Sequence, residues 1–181
     1  MYKNISDGMN KMFIAQIGAI ICTIIAIIPV IGIIGGIGAI VFAIISMIGL
    51  YKCGQEVAEC KTAFILTIVN IVLSLLGNVK FIGVIANLAS TVVSFLIIYL
   101  VCTSIGKILK DAGSADVADL GDKVWKINFI CAIAGVIIGI LALIPIIKIL
   151  AGILGFVVAI AEIVAGVMYI IFLYKGSKAL A

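Results

Sequence analysis

The sequence predicts an all-α integral membrane protein, with six transmembrane helices arranged as three repeated helical hairpins. Three observations carry this. The 181-residue chain is 66% hydrophobic and has a mean hydropathy of +1.48, more apolar surface than a water-soluble fold can hide. Its charges are spaced so that uncharged runs exceed the roughly 18 residues that mark a membrane helix. The same turn and end motifs also recur three times along the chain. Residues 1–181 therefore read as a single membrane domain.

The spans follow in order. Met12–Tyr51 is one uncharged run of 40 residues, too long for one helix. Pro29 with Gly32, Gly35 and Gly36 divides it, because Pro and Gly interrupt helices. Spans are expected at 12–28 and 33–51. Thr62–Val79 supplies a third at 62–76, and Phe81–Gly106 a fourth at 82–104. Ile127–Ile147 supplies a fifth at 127–144. Ile149–Tyr174, broken only by Glu162, supplies the last at 149–174. The start "MYKNISDGMNKMF" runs into apolar sequence without a small-residue cleavage pattern, so it reads as leading a retained first span.

The repeat is visible by eye. "AIIPVIGIIGG" (26–36), "SLLGNVKFIGV" (74–84) and "ALIPIIKILAG" (142–152) align without gaps, and so do the hairpin ends, with Tyr51, Tyr99 and Tyr174 in register. Each hairpin opens with Lys then Phe: Lys11/Phe13, Lys61/Phe64 and Lys126/Phe129. The repeats then cover approximately 11–60, 61–110 and 125–181. Lysines 3, 11, 52, 61, 107, 110, 123, 126, 175 and 178 fall on the side of the termini, against Lys80 and Lys148 on the side of the turns. Excess Lys marks the cytoplasm, and aromatic residues anchor the interface. A multi-pass cell-membrane protein with both termini cytoplasmic is expected. The abundance of Ile, with Lys in place of every Arg, suggests a bacterial or archaeal source. Segment 107–126 reads as a cytoplasmic linker, either solvated or lying on the interface as a short helix through Val117, Leu120 and Val124.

Composition also excludes. The net charge of +4 is not a nucleic-acid signal, because the lysines flank apolar runs instead of clustering with exposed aromatics. With no His in the chain, a Ser-His-Asp triad and a His-bound metal are ruled out. Cys22, Cys53, Cys60, Cys102 and Cys131 form no C-x-x-C pair, so no metal or cofactor is expected. An enzyme is not expected either. The partners are the lipid bilayer and, as candidates, a second copy or another membrane protein.

The polar groups inside the spans are selective. Gln16 and Thr23 lie on the first span; Thr67, Asn70 and Ser74 share a face of the third. Asn87, Ser90, Thr91 and Ser94 share a face of the fourth. All could line a polar path or hydrogen-bond between helices. Small-residue pairs such as Ala15/Ala19, Gly135/Gly139 and Ala161/Ala165 report close helix packing.

Glu162 is the one acid within an apolar run. Along a helix it is about 20 Å from Lys148 and from Lys175, beyond the reach of a snorkelling side chain. Gly155, Ala159, Gly166 and Tyr169 lie on its face, so it is expected to point into the bundle at a helix contact. A carboxylate there costs about 2.5–3.5 kcal/mol, and desolvation favours its neutral form. Aligned from the turn, Glu162 matches Ser46 and Ser94; aligned from the Tyr end, it matches Ala39 and Asn87. Glu162, Ser46, Ser94 and Asn87 are therefore the expected ion or proton site.

Two readings follow. In the first, the protein transports a proton, small cation or small solute, with Glu162 titrating or binding the cation. In the second it is a membrane-shaping, immunity or assembly-accessory protein in which Glu162 is a structural hydrogen-bonding group. The third hairpin also resembles ATPase proteolipids, whose second helix holds a mid-membrane carboxylate. The resemblance covers one hairpin. The apolar turn, short helices and inverted orientation depart from that pattern, and the family is not assigned.

Overall fold

The computed structural model describes residues 2–26, 32–77, 82–141, 144 and 148–181. They form six helices: α1 (Lys3–Ala26), α2 (Gly32–Gly54), α3 (Ala58–Leu76), α4 (Gly83–Asp111), α5 (Ala115–Leu141) and α6 (Lys148–Ala179). Each is long and apolar enough to cross a membrane, the architecture of a multi-pass membrane protein. Helices suit this composition because they satisfy every backbone polar group within the segment. The expected turns at Pro29 and Pro145, and Lys80, lie outside the described residues.

The helices run further toward the termini than the apolar runs do. α1 begins at Lys3, nine residues before the expected start, and α4 continues to Asp111. Segment 107–126 is correspondingly neither an extended coil nor a separate short helix. It is the end of α4, a turn at Ala112–Ser114 and the start of α5. The cause is an amphipathic stripe. Lys107, Lys110, Asp111, Asp116, Asp119 and Lys123 are exposed, while Leu109, Val117, Ala118, Gly121 and Val124 are buried. Gly113, at φ +80°, adopts the left-handed conformation that glycine reaches without a Cβ clash. The turn closes with Ser114 N–H donating to Leu109 O at 2.8 Å and Gly113 N–H to Lys110 O at 3.0 Å, a Schellman cap.

Short connections make successive helices antiparallel. The main contacts run between chain neighbours, and α6 closes onto α1, so the six helices form a ring in sequence order. Side chains near the termini fasten each seam. Between α1 and α2, Gly8 and Gly49 bring the backbones together: a Cβ on Gly8 would stand 2.6 Å from Gly49 O. Lys52 and Asp7 form an ion pair across the same seam. Tyr51 packs edge-on to Phe64 between α2 and α3, with ring centroids 5.9 Å apart. Tyr99 meets Trp125 at 5.3 Å, and Phe95 meets Phe129 at 5.3 Å, between α4 and α5. Phe172 of α6 fills the space left by Gly121 of α5. The ring shuts where Phe13 meets Tyr174 at 5.2 Å and Ser6 Oγ donates to Ser177 O at 2.7 Å.

Burial is uneven along the axis. Ile5, Met9, Cys53, Cys60, Val101, Cys102, Ile105, Leu109, Val124, Phe172 and Leu173 are fully buried near the termini. Cys53 Sγ lies 3.6 Å from Ile5 O, and Cys60 Sγ lies 3.8 Å from Ser104 Oγ. These thiols behave as small packing groups. Toward the turns the outward faces are bare isoleucine, leucine and phenylalanine, such as Ile24, Ile40, Leu75, Ile85 and Phe156.

Candidate functional site

Above the packed end lies a cavity of about 560 Å³ to which all six helices contribute. Gln16 comes from α1, Ser46 from α2, Thr67 from α3, Ser90, Thr91 and Ser94 from α4, Asn128 from α5 and Glu162 from α6. Met12, Leu50, Ile97, Ile98 and Tyr169 complete the wall on its terminal side. The next layer, with Met9, Cys53, Cys60, Cys102 and Phe172, has no solvent exposure. The cavity is therefore sealed toward the termini.

Local bonding orients the wall. Asn70 stands one bond behind it: its Nδ2 donates to Ser94 Oγ at 3.0 Å, and its Oδ1 accepts from Ser90 Oγ at 2.6 Å. One amide thus fixes two wall hydroxyls and ties α3 to α4. Thr67 Oγ1 donates to Ala63 O at 2.9 Å, Thr91 Oγ1 to Asn87 O at 3.1 Å, and Asn128 Nδ2 to Val124 O at 2.9 Å. Each hydroxyl so bonded keeps its oxygen lone pairs as acceptors.

Glu162 differs from its neighbours. Among the described residues it makes neither an ion pair nor a hydrogen bond. It is exposed to the cavity. The sequence places it at a desolvated helix contact; the structure instead opens that face of α6. Gly166, one turn on, has nothing within 4 Å of where a Cβ would stand, so the face beside the carboxylate is open. The physical reason is the ring: six helices around one axis leave a space where two packed helices would leave none.

The structure brings Ser46, Ser94 and Glu162 to one cavity, together with Gln16, Thr67, Ser90 and Thr91. Asn87 is elsewhere. It lies at the α3–α4 turn, where its side chain occupies the space that a Cβ on Gly77 would need. Thr23 bonds back to Ala19 O at 2.9 Å, and Ser74 to Asn70 O at 2.9 Å; neither lines the cavity. Asn128 is a wall residue that the sequence reading passes over. It is the sole Asn or Gln in the run Ile127–Ile147, a signal that could have found it. Cys131, one helical turn on, also lines the cavity.

Neutral dipoles and one carboxylate suit a positively charged occupant. Among the described residues no lysine lines this cavity. Compared with protein-family models, with curated proteins and with solved structures, the chain matches none.

Proposed function

We propose that this protein moves a proton, a small cation or a small solute across the cell membrane, with Glu162 as the titratable or cation-binding group. The observation that carries the reading is the lone carboxylate on the wall of a polar cavity to which all six helices contribute. Intramembrane acids that face a polar interior belong to ion and proton pathways more often than to helix packing. A packing role, as in a membrane-shaping or assembly-accessory protein, would give Glu162 a partner on a neighbouring helix. The Asn70–Ser90–Ser94 bonds show what such a contact looks like in this protein.

The same reading takes the ring as three copies of one hairpin. Ser46, Ser94 and Glu162 come from α2, α4 and α6, the second helix of each hairpin. The Tyr near the end of one hairpin meets the opening Phe of the next at Tyr51–Phe64 and at Tyr174–Phe13. In the remaining seam Tyr99 meets Trp125 while Phe95 takes Phe129. The lysine asymmetry puts both termini in the cytoplasm. The cavity is then sealed on the cytoplasmic side.

The test is proton and monovalent-cation flux in liposomes. Glu162→Gln keeps size and polarity but cannot ionise. Wild type should carry flux, and the variant should lose at least tenfold at every pH while melting normally in detergent. Equal flux in both proteins contradicts the role of Glu162, and a silent wild type favours the structural reading.

A further inference from the structure

We infer that the cavity takes a small organic cation, a single ammonium group carrying a short apolar tail. The inference rests on the transport reading only in using the same cavity, and it names the class of occupant.

Size comes first. Small-molecule pockets occupy about 300–1,000 Å³, and this cavity holds about 560 Å³. A bare divalent cation needs several oxygens drawn in to roughly 2.0–2.6 Å. Here one carboxylate faces hydroxyls spread over separate helices, and no group of three Asp, Glu, Cys or His among the described residues could hold a metal. Charge comes second. Among the described residues Glu162 is the one carboxylic acid of the wall, and no lysine opposes it. A single positive charge balances it.

The polarity of the wall also has a direction. On α1, Met12 lies nearer the termini than Gln16; on α2, Leu50 lies nearer than Ser46. On α4, Ile97 and Ile98 lie nearer than Ser90, Thr91 and Ser94, and on α6, Tyr169 lies nearer than Glu162. Four helices thus give the cavity an apolar floor beneath a polar belt. Asn128 is the polar group at floor level, and its amide is directed to Val124 O. From Glu162 to Tyr169 the helix rises about 10 Å, and from Gln16 to Met12 about 6 Å, enough for a tail of roughly four to six carbons. An ammonium beside Glu162 leaves its tail on Met12, Leu50, Ile98 and the Tyr169 ring. A second charge at the far end would meet no carboxylate on that floor, only the neutral Asn128 Oδ1, which does not offset the loss of its hydration.

The experiment uses the full chain in nanodiscs and isothermal titration, with empty nanodiscs as the blank. The probes are pentylammonium, methylammonium, pentane-1,5-diammonium and neutral 1-pentanol. Pentylammonium should bind at least tenfold tighter than methylammonium or the diammonium. Glu162→Gln should weaken pentylammonium at least tenfold and leave 1-pentanol unchanged, which reports an intact cavity. Glu162→Asp should restore most of the binding. The proposal is overturned if pentylammonium does not bind saturably, if the diammonium binds as tightly, or if Glu162→Gln binds it like wild type. Glu162-dependent proton flux without pentylammonium binding removes the ligand class and leaves the transport reading. Glu162-dependent binding without any flux supports the ligand class and removes transport.

Discussion

The two ends of the helix ring follow different physics. Toward the termini the helices extend beyond the apolar runs, carry charge on their outer faces and bury Ile5, Met9, Leu109, Val124 and Phe172 inside. That end is organised like a soluble helical core, with apolar inside and charged outside. Toward the turns the apolar side chains point outward, as lipid-facing residues do, and the interior holds the hydroxyls, amides and carboxylate of the cavity. Lipid supplies no hydrophobic force between helices, so that half is free to keep a polar space. The packed end thus holds the ring shut, and the open half holds the polar cavity.

The largest effect is expected at the packed end. Phe172→Ala removes a fully buried ring that fills the space beside Gly121. It should cost about 3–5 kcal/mol, read as a large drop in detergent melting temperature. Phe156→Ala, on an outward face in the other half and 69% exposed, should change melting little. Equal losses would remove the distinction between the two ends.

A smaller effect is expected at the α1–α2 seam. Gly49→Ala places a methyl 2.7 Å from Gly8 O, which is backbone and cannot swing aside. A penalty of about 1–3 kcal/mol is expected for such overpacking. Gly36→Ala meets nothing within 4 Å and should be close to neutral. Chemical denaturation of the two variants side by side checks the pair.

The smallest effect concerns the wall. Asn70→Leu deletes the amide that holds Ser90 and Ser94. Interhelical hydrogen bonds in membranes average about 0.6 kcal/mol, so melting should fall only slightly. The freed hydroxyls should nonetheless alter whatever the cavity binds or passes. A strong loss of stability with unchanged flux would make Asn70 a packing residue alone.

Much of this could be read from residue order. Charge-free runs located all six helices, since a span must be apolar for its whole length. Gln16, Thr67, Ser90, Thr91, Ser94 and Glu162 stand out as polar groups in such runs and Ser46 through its alignment with Glu162, but the same signals also pick Thr23, Ser74 and Asn87, which lie off the cavity. Helix ends were less legible. Lys107, Lys110 and Asp111 look like the end of a span, yet a helix leaving the membrane tolerates them on its outer face. The Schellman turn at Gly113 depends on a single glycine, which local sequence does not distinguish from a flexible linker. Ring closure was not legible at all, because contact between α1 and α6 joins residues such as Ser6 and Ser177. That closure decides that Glu162 meets a cavity instead of a neighbouring helix.

Cysteine accessibility in oriented vesicles tests most directly whether the polar cavity at Glu162 is open on the side of the turns and closed toward the termini. The native thiols are replaced, and single cysteines are introduced as Ser46→Cys and Ser94→Cys, with exposed Ala179→Cys reporting the terminal side. A membrane-impermeant thiol reagent should modify both cavity positions from the side of the turns and neither from the side where Ala179→Cys reacts. Modification from the terminal side, or from neither side, would contradict the account.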